Sequence, residues 1–482
     1  MATDHAACKG CLNRRMFLGG IAGMAGAAGM AGMGHGWAIA APPPASAGKP
    51  RIRLIFSHHR VDAQGKQSEP GWPYLGYDCE GRKHALLAKL QQGCPGIEFL
   101  PTTAFSAEDA RKLLEADKTH PVDGYLAYMI GGWATAGQTI AAAGKPVIYV
   151  GDLYGASGEI LTAISEARRQ NFRAFGVTSS RFEDVVDALR CFETIKKLKA
   201  SNIVDVGAGP GELGKAIHDV FGTTVVPVDF PEINAAYAKA DPAQAHQWAD
   251  KWIREAEKVG PARAEIEKSG AMFVAMRSLM ERYQAQAITI NCLGGFYSGH
   301  MQAYPCLGHF QLNNDGLVGA CEADLQSTIT MLAMGYLVGK PGYISDPVVD
   351  TATNRIIYIH CVGTNKVFGP DGPTNPYQIL SHAEDRKGAA LRSLMPLGQP
   401  ITTLQTAPTR REMIIHQGKT CANVDDDRSC RTKLAAEVKG DVNKLLGQWD
   451  RWGWHRVTFF GDHKRAVEQL ATLVGLKMVE EA

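Results

Sequence analysis

The chain has 482 residues, 45% hydrophobic and 21% charged, with 51 Lys and Arg against 49 Asp and Glu. That length exceeds one ordinary core and calls for several domains of roughly 100–200 residues each, while a formal net charge of +2 offers no basic field of the kind that nucleic acid requires. Eleven cysteines without a repeated short spacing exclude a disulfide framework, and the lone Cys8–Cys11 pair has no second pair to complete a zinc site.

Asn13-Arg14-Arg15-Met16-Phe17-Leu18 resembles the twin-arginine export motif, and a Gly/Ala/Met run to Met33 and the small residues Ala38-Ile39-Ala40-Ala41 follow it. The run is glycine-rich and falls short of the roughly 20 apolar residues of a spanning helix. With the linker that opens at Pro42-Pro43-Pro44, residues 1–50 read as a signal peptide and linker. The resemblance implies passage through the twin-arginine translocase to the periplasm.

Arg51 to Phe56, Gly124 to Ile130 and Lys145 to Val150 are short apolar runs, and helical spacing between them, as from Ala107 to Ala116, makes an alternating α/β pattern over 51–185. A second set of strands at Asn202–Val206, Thr224–Val228 and Ala287–Ile290, with one long polar helical stretch from Pro242 to Tyr283, marks a middle domain over 186–341. After Gly342 the chain turns to short β-like runs such as Arg355–Ile359, closed by a helix from His463 to Leu473. The expected architecture is therefore α/β, with two Rossmann-like parallel-sheet domains followed by a mostly β C-terminal domain over 342–482.

Val204-Asp205-Val206-Gly207-Ala208-Gly209-Pro210-Gly211 resembles the glycine loop of S-adenosylmethionine methyltransferases, with Asp229 at the end of the next strand where those enzymes hold ribose hydroxyls. The long charged helical stretch after Asp229 takes the place of the further strands such an enzyme needs. A plain strand-to-helix turn explains the glycines as well.

Polar and thiol residues concentrate between Ile290 and Asp324, and a helix carrying Leu325, Ile329, Leu332 and Leu337 follows. Glu322 thus stands at or beside a helix N-terminus, where an ionised carboxylate is favoured. Gly342-Tyr343-Ile344-Ser345-Asp346-Pro347 reads as a strand that ends in an acid, because proline cannot continue a central ladder. One helix and one strand separate the two acids, a topology that can bring both to one sheet edge.

The order Asn291-Cys292, Pro305-Cys306-Leu307, Leu312-Asn313, Cys321-Glu322-Ala323-Asp324 and Asp346-Pro347 is similar to that of the L-fucose/L-arabinose isomerase family from Ile290 to Gly363, and Gly453-Trp454-His455-Arg456 with Gly461-Asp462 resembles its C-terminal stretch. The resemblance implies a homo-oligomeric aldose–ketose isomerase acting on a small sugar through an ene-diol. It also implies Mn²⁺ or another divalent metal held by Glu322, Asp346, His360 and His455, with Glu322 and Asp346 as acid/base residues. Carboxylates with imidazole suit such a cation, so the nearby cysteines read as packing residues. His300, His309 and His382 are further candidates for the pocket wall, and Trp133 reads as a core residue with sugar stacking as the alternative. A non-catalytic sugar-binding protein on the same scaffold and a methyltransferase are the competing functions.

Overall fold

The computed structural model describes residues 47–482. The twin-arginine-like segment and the Cys8–Cys11 pair lie outside them. No helix among the described residues is long and apolar enough to cross a membrane.

The three apolar runs of the first segment form β1 (Arg51–Ser57), β3 (Gly124–Met129) and β4 (Val147–Gly151), and β2 (Glu98–Ala104) and β5 (Ala174–Val177), not expected from the pattern, join them in a parallel sheet in the order β2-β1-β3-β4-β5. Helices cover the sheet, so β3 and β4 are buried throughout and read as continuous apolar runs without alternation. Trp133, expected in the core, lies in the loop after β3 and is 66% exposed. Glycines at 131 and 132 and the left-handed Thr135 turn the backbone there and direct the indole outward.

The middle segment supplies β6 (Asn202–Val206), β7 (Thr224–Val228), β8 (Lys258–Val259), β9 (Ala287–Ile290) and β10 (Val318–Cys321). Four of these make a second parallel sheet, β10-β9-β6-β7. The expected single helical stretch is instead two helices, Pro242–Glu255 and Arg263–Arg282, with β8 between them. Gly260 and Pro261 break it, since proline can neither donate nor clear the preceding turn.

The C-terminal strands are β11 (Tyr343–Asp350), β12 (Arg355–His360), β13 (Tyr377–Leu380), β14 (Ala390–Ser393), β15 (Pro400–Ala407), β16 (Glu412–Asn423), β17 (Thr432–Lys439), β18 (Arg456–Phe460) and β19 (Lys477–Glu480). The order β15-β18-β11-β12-β17-β16-β19, with an added β15–β16 pairing, closes a barrel. β13 and β14 join β8 in a small sheet that ties the barrel to the middle segment. Two parallel-sheet α/β layers followed by a mostly β domain is the architecture the sequence leads one to expect.

β11 does not end at Asp346. It continues to Asp350, with Pro347 opposite Tyr358 of β12, because its pairing with β18 stops at Ser345. Beyond that point one edge of β11 is free, and a proline costs no ladder bond on a free edge. The closing helix, Lys464–Val474, matches the expected one, and β19 beyond it adds a parallel strand to β16.

One apolar core runs from Leu54 through Val204 and Ile288 to Leu332 and Val457. It fixes the carboxyl edge of the second sheet against the barrel. Gly207, Asn291 and Glu322 follow β6, β9 and β10 on that edge, where open α/β sheets hold ligands.

Candidate functional site

Glu322 leaves the end of β10 in a left-handed conformation, φ 63°, and Ala323 repeats it at φ 52°. Such backbone is strained for residues with a side chain and tends to persist where its surroundings impose it. The turn is held by the Ala323 N–H, which donates to the Ile290 carbonyl at 3.0 Å. Asp324 then caps the helix Leu325–Val338, accepting from the Ser327 N–H at 3.0 Å and the Ser327 hydroxyl at 2.6 Å. The capping role therefore falls to Asp324 and leaves Glu322 free to project from the edge.

Asp346 comes from β11, His360 from the end of β12 and His455 from the residue before β18, three neighbouring barrel strands. One ligand atom from each of Glu322, Asp346, His360 and His455 lies within 4.8 Å of the other three. The structure thus brings together all four residues the sequence singled out.

His455 is the pivot. Its Nδ1–H donates to Asp324 Oδ2 at 2.9 Å, so Nε2 carries the lone pair of the neutral ring. Nε2 faces Asp346 Oδ1 at 3.2 Å and Glu322 Oε2 at 3.5 Å without a well-directed hydrogen bond to either. Burial by itself would lower the pKa of this imidazole, but contact with Asp324, Asp346 and Glu322 carries it well above the ordinary value. The carboxyls move the other way: burial opposes ionisation, yet His455 holds Glu322, Asp346 and Asp324 below their usual range. With the ring protonated, three carboxylates around it leave an excess of two negative charges in a largely buried site, and a cation at Nε2 would take the place of that proton.

His360 is buried and differs in tautomer. Its Nδ1 accepts the Cys361 N–H at 3.0 Å, which places the ring proton on Nε2, 3.7 Å from Glu322 Oε1. Burial lowers its pKa. Trp454, 65% exposed beside His455, donates its Nε1–H to Asp346 Oδ1 at 2.5 Å and presents an indole face at the mouth of the site.

The other candidate histidines divide. His382 is buried against Asp385, 3.3 Å away, and stacks near Tyr304, whose hydroxyl also donates to Asp385. His300 stacks on Phe230 at 5.7 Å. His309 is fully buried, and burial pushes it down to about 3. Asp324 and Trp454 were not assigned roles from sequence, although both sit inside the quoted motifs, one in Cys-Glu-x-Asp and the other directly before His455. The carboxylate behind a metal-binding histidine is a recurring arrangement that could have pointed to Asp324.

The glycine turn is a built strand-to-helix turn with φ of 79°, 88° and 50° at Gly207, Gly209 and Gly211. Asp229 spends its carboxylate on the N-cap of the helix Phe230–Ala238, accepting from the Glu232 N–H at 2.9 Å. A cavity of about 880 Å³ opens between the small sheet and the barrel, with Tyr304, Ser381, Arg392 and Arg431 in its wall.

No family model matches the chain. The sulfoquinovose isomerase of Alkalicoccus urumqiensis is 27% identical over 184 residues, 36% of this chain and 40% of the relative. That of Clostridium sp. (strain MSTE9) is 23% identical over 311 residues, covering 60% of this chain and 66% of the relative. That of Priestia aryabhattai is 24% identical over 188 residues, 36% and 41% of the two chains. The matched part thus spans less than two thirds of each relative. A solved structure described as the XylFII molecule covers 52% of this chain at 15% identity and a TM-score of 0.16, too low for an argument about fold. The curated relatives are sugar isomerases by name, and it is to sugar isomerases that this chain is similar.

Proposed function

We propose that the protein is a divalent-cation-dependent aldose–ketose isomerase acting on a free sugar through an ene-diol, in the manner of the L-fucose/L-arabinose isomerases. The observation that carries this is the convergence of the Glu322 and Asp346 carboxylates on Nε2 of His455, at 3.5 and 3.2 Å, with Asp324 fixing that ring from behind. The donor set fits a cation: two carboxylates and an imidazole of fixed tautomer, with a buried Nε2 that lacks a directed partner and a surplus of negative charge. Oxygen-rich sets of this type suit Mn²⁺ or Mg²⁺ over thiophilic ions. When bound, such a cation polarises the sugar's adjacent oxygens and acidifies the C–H bond between them.

The chain's own groups do the rest. Glu322 and Asp346 both approach Nε2 of His455, so one carboxylate can take the proton from the carbon next to the carbonyl and, now protonated, return it to the carbonyl carbon, while the other passes the hydroxyl proton from one oxygen of the ene-diol to the other. Both are held ionised and ready to accept. His360, the fourth residue of the cluster, places Nε2 3.7 Å from the second oxygen of Glu322 with no hydrogen bond between them. Trp454 offers an apolar face to the sugar ring while its N–H steadies Asp346.

The test is ketose formation from an aldose panel that includes sulfoquinovose, the sugar in the relatives' names. Activity is expected to need Mn²⁺ and to be lost in Glu322→Gln; full turnover in that variant would overturn the assignment. We also propose export through the twin-arginine route and a homo-oligomeric assembly, to be read from cell fractionation and from light scattering of the purified chain.

A further inference from the structure

Five cysteines from five separate segments meet behind the acid/imidazole site. Cys292 Sγ lies 3.2 Å from Cys321 Sγ, and Cys306 Sγ lies 3.7 Å from Cys361 Sγ. Cys361 also contacts Cys321 and Cys430, so it is the hub of the group. Cys321 ends β10 of the middle sheet and Cys361 follows β12 of the barrel; the thiols therefore meet across the seam between the two. Small apolar packing accounts for buried cysteines one at a time, but here the imidazole nitrogen that accepts the Cys361 N–H also faces the thiols. His360 Nδ1 lies 3.6 Å from Cys361 Sγ, and Cys321, Cys361 and His360 each place a ligand atom within 4.8 Å of the other two.

We propose that Cys321, Cys361 and Nδ1 of His360 form a second metal site for a thiophilic dication of the Zn²⁺ class, distinct from the carboxylate site and stapling the middle sheet to the barrel.

Zinc bonds of about 2.3 Å to sulfur and about 2.0 Å to nitrogen set tetrahedral edges of roughly 3.8 Å between sulfurs and roughly 3.5 Å between sulfur and nitrogen. The 3.6 Å separation of Cys361 and His360 already matches the second. The lone pair of His360 is on Nδ1, the thiol side, and turning the ring slightly away from the Cys361 N–H frees it for the ion. Cys306 and Cys292, flanking the triad, are the candidates for a fourth ligand. A second observation comes from the helix Cys306–Asn314: His309, one turn beyond Cys306 and in electrostatic contact with His360, is fully buried with neither ring nitrogen hydrogen-bonded. Orphaned buried imidazoles are uncommon, and this one lies on the helix that Cys306 opens. Soft thiolates select zinc-class ions, whereas the carboxylates in front select hard ones, so one histidine can separate two sites of opposite preference.

The full chain, purified with excess Mn²⁺ to fill the carboxylate site, is titrated with Cd²⁺ as the probe. One Cd²⁺ per chain is expected to survive gel filtration and to show the ultraviolet thiolate-to-cadmium band. Cys361→Ser is expected to weaken retention at least tenfold, and Asp346→Asn to leave it unchanged. Retention and band intact in Cys361→Ser, or lost in Asp346→Asn, would overturn the site. X-ray absorption of the wild-type cadmium complex needs no variant: two sulfurs with nitrogen in the shell support the proposal, and an oxygen-only shell refutes it. These readouts do not involve sugar turnover, so the isomerase reading stands or falls separately.

Discussion

Replacing Asp324 with asparagine separates the two jobs of one carboxylate. Asp324 caps the helix Leu325–Val338 through Ser327 and also receives the Nδ1–H of His455 at 2.9 Å. Asparagine caps a helix about as well as aspartate, so the fold is expected to keep its melting temperature. The change removes the charge behind His455, and the amide can present its N–H₂ to the ring in place of an acceptor. Loss of the group that orients a metal-binding histidine typically costs about 10–100-fold in metal affinity or activity, or about 1.4–2.7 kcal/mol at a factor of ten per 1.4 kcal/mol. Calorimetric titration of Asp324→Asn with Mn²⁺ should show that loss, with Asp324→Ala showing it together with about 1 kcal/mol of helix destabilisation from the missing cap. An Asp324→Asn protein that binds Mn²⁺ as tightly as wild type, at equal melting temperature, would refute the idea that this carboxylate sets the tautomer of His455.

Glu481, fully buried near the C-terminus, accepts three bonds from Arg456, two of them sharing Nε, and one from His416 at 2.7 Å, and these partners drive its pKa down to about 2 against the burial that opposes it. Glu481→Ala leaves a buried guanidinium unpaired and should cost about 3–5 kcal/mol in chemical denaturation; because the folded pKa is depressed, the wild-type contribution is present above about 4.5 and fades as pH falls toward about 2. Glu159 behaves in the opposite sense: burial raises it to about 7 although the Thr135 N–H donates to it at 2.8 Å. The unfolded chain ionises first, so wild-type stability should decline as pH rises from about 4.5 to about 7, and Glu159→Gln should flatten that part of the pH–stability curve. Trp454→Ala removes the exposed indole that the proposed function sets against the sugar, together with the Asp346 hydrogen bond, and steady-state kinetics should show a raised KM with a smaller fall in kcat; an unchanged KM would remove Trp454 from the proposed binding face.

Much of this protein is legible in one dimension. Strands buried on both faces must be continuous apolar runs, so β3, β4, β6 and β9 could be read directly from the chain; the order of strand, acid and helix marked Glu322 and Asp346, and the family resemblance added His360 and His455. Local pattern is silent where the deciding contact is distant. Whether Pro347 stops β11 depends on where β18 stops pairing with it, whereas the break after Pro242–Glu255 was local, in Gly260-Pro261, and only the pairing of its short strand β8 with β13 is distant. The tautomers of His360 and His455 are set by Cys361 and Asp324, and in the case of Asp324 the partner is over a hundred residues away. The cysteines show the same limit most clearly. Their scattered spacing truthfully excluded a disulfide framework, but only the folding of β10 against the barrel brings thiols from five segments into contact, because side-chain proximity across a domain seam is a property of packing and not of order along the chain.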